Sequence, residues 1–273
     1  MGFKDSHTVG RVTEITHIVP FKKGGWEGSH GLRYSDRCRI ILESFAKLEA
    51  EGFVSPVRRF SGIHFARWTM IDGDTRLLFT TNFDGTWEDY IGAFTREIPW
   101  SLGLIWCNCE DYPVDHVAPG ADPKRDKLIP GAKDYPLFSK FVKRFQVPTG
   151  LFYAHHGSLT VKDIVHLQIF HEETRKALAN GSTATLAEIE RRTMEYQRDV
   201  DAAYHPDAGL ASAPFPKPAC MEPMPEADRA VYYQRIAPAI QSLYGYNEAT
   251  MSDVMAEFGL EGIHPTTEGR NDD

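Results

Sequence analysis

"GIHFARWTMIDGDTRLLFTTNFDG", residues 62–85, decides the fold class. Two runs rich in β-branched and aromatic residues flank an Asp-Gly-Asp. Asp-Gly between such runs is a strong hairpin signal. Ile63 to Ile71 is one strand and Arg76 to Phe83 its partner. Four polar residues interrupt the pair: His64, Arg67, Asn82 and Asp84. Alternation puts His64, Ala66 and Trp68 on one face and Phe65 and Arg67 on the other. Either the polar residues satisfy one another in a core, or they line a pocket.

Working outward, "RVTEITHIV" (11–19) reads as an earlier strand and is followed by a Gly-rich loop, "PFKKGGWEGSHG". That loop lacks the G-x-x-x-x-G-K-[ST] spacing of a phosphate loop. From Ser35, a plausible N-cap, Cys38, Ile41, Leu42, Phe45 and Leu48 trace one helical face that stops at Gly52. After the hairpin, Trp87, Tyr90, Ile91, Phe94 and Ile98 trace a second, with Asp84 or Thr86 as cap. Residues 111–136 hold five prolines and read as an irregular insertion. "PLFSKFVKRF" is a short helix, and "TGLFYAHH" the best late strand. Helices follow over 158–178, about 185–201 and 226–243, with a Pro/Ala run between the last two. The order is β-α-β-β-α-β, and the class is α+β: a ferredoxin-like sheet with helices on one face plus extra C-terminal helices. The expected division is a domain over 1–204 and a C-terminal arm over 205–273.

"IHFARW", "LLFTTNFDG", "CEDYP" and "VPTGLFYAHHGSLTVKDI" carry a likeness that covers about residues 10–180. The arrangement resembles the dimeric α+β-barrel branch of the ferredoxin-like superfamily. The segments themselves are similar to a bacterial group marked by HFARW, NFDG and CEDYP. The superfamily likeness implies a homodimer. It also implies an oxidoreductase, either a cofactor-free monooxygenase or a haem enzyme of the chlorite dismutase or dye-decolourising peroxidase kind. The peroxidases' GxxDG segment does not occur here, nor does an equivalent of the dismutases' haem-binding helix.

An imidazole titrates near working pH, so His64 is the candidate general acid–base, with Asn82 as a donor to a developing oxyanion. Arg67, Trp68 and Tyr153 are candidates for substrate binding, Arg67 through a carboxylate. Tyr153 and His155 project together on an extended strand, and His156 projects oppositely. His155 or His156 is the candidate haem ligand, if haem is the cofactor and not none. Cys107 and Cys109 read as inert thiols, because no base flanks them. The competing expectations are a cofactor-free isomerase or cyclase acting on a small apolar or aromatic molecule, and a non-catalytic ligand-binding module. No G-x-S-x-G occurs, which removes an α/β-hydrolase.

A net charge of −8 argues against a nucleic-acid partner and against attraction to an anionic membrane. No apolar run approaches the roughly 18 residues of a membrane helix. "MGFKDSHTVG" has no apolar core, so the expected location is the cytoplasm, with reduced thiols.

Overall fold

The computed structural model describes residues 7–26, 31–53, 56–60, 62–123, 125–157, 159–203, 224–244 and 247–263. Residues 27–30 of the Gly-rich loop and most of the Pro/Ala run lie outside them. The chain is α+β and divides into two compact units that interleave along the sequence. One comprises 1–19, 60–93 and 142–218, the other 20–59, 94–141 and 219–273. In this division the C-terminal residues 219–273 group with segments from the first half of the chain.

The first unit is built on a sheet of β1 (Thr8–Val9), β2 (Val12–Pro20), β3 (Ile63–Ile71) and β4 (Arg76–Asp84), in the order β1-β2-β4-β3. The hairpin turn forms as the sequence dictates. Asp72, Gly73 and Asp74 all take positive φ (53°, 61° and 64°), a conformation Asp and Gly tolerate best. Gly85 donates to the Arg11 carbonyl at 3.2 Å, so the end of β4 meets the start of β2 and the two run antiparallel. Trp68 pairs with Phe79 and Ala66 with Thr81, while Arg67 pairs with Thr80 and Phe65 with Asn82. The first set is covered. Helix α2 (Trp87–Glu97) lies against it, with Tyr90 stacked on Phe83 (3.8 Å between centroids) and its hydroxyl 2.7 Å from Thr81 Oγ1. The second set is open, and Phe65 is 75% exposed.

The late strand is corrected. No strand is assigned over 149–156. Contacts with β2 and the residue before it include a His17–Gln146 bridge, a Val147 N–H donated to the Thr16 carbonyl (2.8 Å) and an Arg11 N–H donated to the Gly157 carbonyl (2.6 Å). Pro148 has no N–H to give a ladder, and β1 holds the place beside β2. Gly157 must be glycine there, because a Cβ would lie 2.6 Å from the Val9 carbonyl oxygen. Helices α5 (Val161–Ala179) and α6 (Thr183–Ala203) follow as a pair.

The second unit is helical. Helix α1 (Tyr34–Ala50) packs on α3 (Pro99–Trp106) and α7 (Glu226–Tyr244), and α7 is joined to α8 (Glu248–Glu257). The N-cap of α1 is Arg33 and not Ser35: Asp36 accepts from the Arg33 N–H at 2.9 Å and from its guanidinium. Helix α3 was not expected. Every one of its residues is buried, so it shows no amphipathic period. Its free N-terminal N–H groups are met by Glu257, which accepts from Trp100 (2.9 Å) and from the Ser101 N–H (2.7 Å) and hydroxyl (2.6 Å). Gly103 gives room for α7, since a Cβ there would lie 2.8 Å from the Tyr244 hydroxyl. The insertion is irregular as expected, apart from a bridge between His116 and Ile129 and a 3₁₀ turn over Gly131–Lys133. It leads into α4 (Tyr135–Phe145). Among the described residues, no helix is long and apolar enough to cross a membrane.

Candidate functional site

His64 sits where the β3–β4 register slips. Ile63 pairs with Phe83 and Phe65 with Asn82, so His64 is the extra residue of a bulge. The bulge aims its ring at the end of β4, where Nε2 lies 2.7 Å from Asp84 Oδ1. Asp84 is only 1% exposed, whereas the His64 side chain keeps 10% of its surface open. The other Asp84 oxygen accepts from the Val161 N–H, the first residue of α5, at 2.9 Å. Asp84 therefore does not cap the helix that follows it in sequence. Thr86 does that, accepting from Asp89 N–H at 3.2 Å. Burial pushes the Asp84 carboxyl above its ordinary range, and the His64 and Val161 hydrogen bonds only partly oppose this.

A carboxylate accepts and cannot donate. Asp84 thus holds Nε2 as the protonated nitrogen and leaves the lone pair on Nδ1. That is the arrangement of an oriented acid–base imidazole.

The first turn of α5 adds further polar groups in the same unit. Thr160 and Asp163 form a reciprocal cap: the Thr160 N–H and hydroxyl donate to Asp163 Oδ2 (2.7 and 2.8 Å), and the Asp163 N–H donates to Thr160 Oγ1 (3.2 Å). Arg11 pairs with the same carboxylate oxygen at 3.5 Å. Lys162 is buried, and that burial lowers its pKa although the Asp84 charge pulls the other way. His166 stacks on Tyr196 with 3.5 Å between ring centroids. Burial lowers the His166 pKa; burial and then the Asp163 charge raise that of Tyr196. The T-x-x-D spacing signals a capping box but not its neighbours.

The candidate residues fall in separate places. His64 and Asn82 are not brought together: Asn82 stands opposite Phe65, on the open face. Arg67 shares that face and is exposed. Trp68 points the other way and packs on Phe79 at 4.8 Å. Tyr153 is 75% exposed, with its hydroxyl 3.0 Å from His155 Nδ1, so those two do project together. His156 is not turned away: its ring meets that of His155 edge-on at 4.6 Å, because the segment turns there. Both histidines are exposed. An axial haem ligand has to stand in an enclosed, largely apolar pocket, and these two do not fit one. Among the described residues, no group of three or more His, Cys, Asp or Glu could hold a metal ion. Burial raises the Cys38 and Cys109 thiols and pushes Cys107 up to about 11, which leaves all three protonated and unreactive at neutral pH.

No family model matches the chain, and neither a curated protein nor a solved structure matches it.

Proposed function

We propose that the protein is an enzyme that moves a proton on a small, largely apolar or aromatic organic molecule, with His64 as general acid–base and Asp84 as the residue that orients it. The 2.7 Å bond from His64 to a buried carboxylate carries this reading. In it, Nδ1 takes a proton from a carbon acid, and Asp84 stabilises the imidazolium that results. Reprotonation at another carbon gives an isomer. Capture of the carbanion by dioxygen, followed by protonation, gives a hydroperoxide, the first product of a monooxygenase-like reaction. The chain supplies the proton transfer in both cases, and neither calls for haem. The sheet order β2-β4-β3, with 146–157 touching the outer side of β2, supports the ferredoxin-like assignment with a degraded last strand.

The test is deuterium uptake from D2O into a panel of small aromatic carbon acids. A positioned base contributes about 10²–10⁴-fold, and His64→Gln is expected to lose a factor in that range with its melting temperature little changed. Uptake at the wild-type rate in His64→Gln removes the assignment.

The same reading includes a homodimer formed through the open face of β3 and β4. The 75% exposure of Phe65 beside Arg67 and Asn82 supports it. Light scattering at micromolar concentration is expected to give twice the chain mass for the wild type and a monomer for Phe65→Glu. A wild-type monomer ends the dimer reading and leaves the acid–base reading in place.

A further inference from the structure

The second unit buries a guanidinium for which no described carboxylate provides a partner. Arg37, in the first turn of α1, is only 5% exposed. Its Nε donates to Asn108 Oδ1 at 2.6 Å, and Nη2 reaches Cys107 Sγ at 3.5 Å. Both partners are neutral, since the Cys107 thiol stays protonated. The guanidinium lies over the Trp26 ring (4.8 Å to its centroid) and near that of Tyr34 (5.3 Å). The nearest acid on the helix, Asp36, is engaged by Arg33. One edge of the guanidinium is thus used by neutral groups. The other edge, Nη1 with the second N–H of Nη2, has no described acceptor.

A guanidinium only 5% exposed, with neutral partners alone, is held at a cost. Its position makes this worse, because the N-terminal end of a helix carries partial positive charge and favours anions. The free edge of a guanidinium matches the two oxygens of a carboxylate in a planar, bidentate fork. Lys22, half-buried with its ammonium 5.6 Å from the Tyr34 ring centroid, adds a second positive charge. The Asp115 carboxyl interacts with Cys107 and Lys22, but burial raises it above its ordinary range, so it offsets only part of the positive charge. A monoanion suits it better than a dianion.

We propose that this cluster is a binding site for a small organic monocarboxylate, held by the free edge of Arg37, with Lys22 beside it and Trp26 and Tyr34 as its aromatic walls. The site is built by its backbone as well. Lys22 N–H donates to the Asn108 carbonyl at 2.9 Å, which fixes the loop after β2 to the end of α3. Gly25 bridges Arg33 and brings Trp26 back toward Tyr34, with 6.4 Å between their rings.

The test is calorimetric titration of the full chain at low ionic strength with sodium benzoate, with benzamide as the neutral isostere and inorganic phosphate as the competing oxyanion. Saturable binding of benzoate, with none of benzamide, is expected. Arg37→Gln is expected to weaken it at least about tenfold, the loss typical of a charge-assisted pair. Where circular dichroism shows that Arg37→Gln does not fold, Lys22→Met decides, with an expected weakening of about threefold from the loss of one partly screened charge. Benzoate that fails to saturate the wild type, benzamide that binds equally, phosphate that binds more tightly, or affinity unchanged in the deciding variant overturns the proposal.

Discussion

A chain ending at residue 204 is expected to lose the cooperative fold of its second unit. The deleted segment carries α7 and α8. Tyr232, Ile236, Ile240 and Tyr244 recur every four residues on α7 and are almost wholly buried. Tyr232 packs edge-on against Phe53 at 5.5 Å, Tyr244 edge-on against Trp100 at 5.1 Å, and Phe258 stacks on Phe45 at 6.1 Å. Truncating one such side chain to Ala costs roughly 2–5 kcal/mol. Removing four together, roughly 8–20 kcal/mol, matches the whole ~5–15 kcal/mol that holds a typical domain folded. The cut also takes Glu257, so the buried N–H groups of Trp100 and Ser101 lose their acceptor. Hydrogen exchange is the direct measurement. The amides of α1 and α3 should exchange at near-unprotected rates in the shortened chain. Native-like protection there would show that α7 is an appendage after all.

The hairpin was legible because its signals are local. Asp72, Gly73 and Asp74 specify the turn, and alternating residues specify which side chains share a face. Which face is covered was not legible. The contact of Trp68 with Phe79, 4.8 Å between ring centroids, marks the Ala66 side as the packed one. His64 reaches a buried carboxylate only because of a one-residue bulge, and no residue pattern announces that bulge. Its partner Asp84 was noticed, but as a cap for the next helix. The cap it supplies belongs to a helix 77 residues further along the chain. Helix α3 was missed for the opposite reason to the bulge. Its residues are buried on every side, so the period that marks a surface helix is absent. "TGLFYAHH" has the composition of a strand, but β1 occupies the edge of β2 beside it. The Arg37 cluster joins residues about seventy apart, a proximity that spacing along one chain does not reveal.

Asp84→Ala is expected to be the most damaging single substitution in the first unit, at about 3–5 kcal/mol, the range for breaking a buried polar pair by removing one partner. It strands two groups together: the His64 ring and the Val161 N–H. Arg67→Ala should change stability by less than about 0.5 kcal/mol, since the side chain is exposed. Asp84→Asn separates the carboxyl's charge from its shape. Burial raises the folded-state pKa of Asp84 above its unfolded value, so the folded protein holds that proton more tightly. The stabilisation this gives is fully present below the unfolded pKa of about 3.9 and is lost as pH rises through the folded pKa. An Asn titrates nowhere in that window. Between pH 4 and pH 7 the wild type should therefore lose stability relative to Asp84→Asn, read as a shift in the urea midpoints of the two proteins. A relative gain by the wild type over the same window would mean that the His64 hydrogen bond outweighs burial. Asp84 would then be an ordinary low-pKa carboxylate, tied into an ion pair.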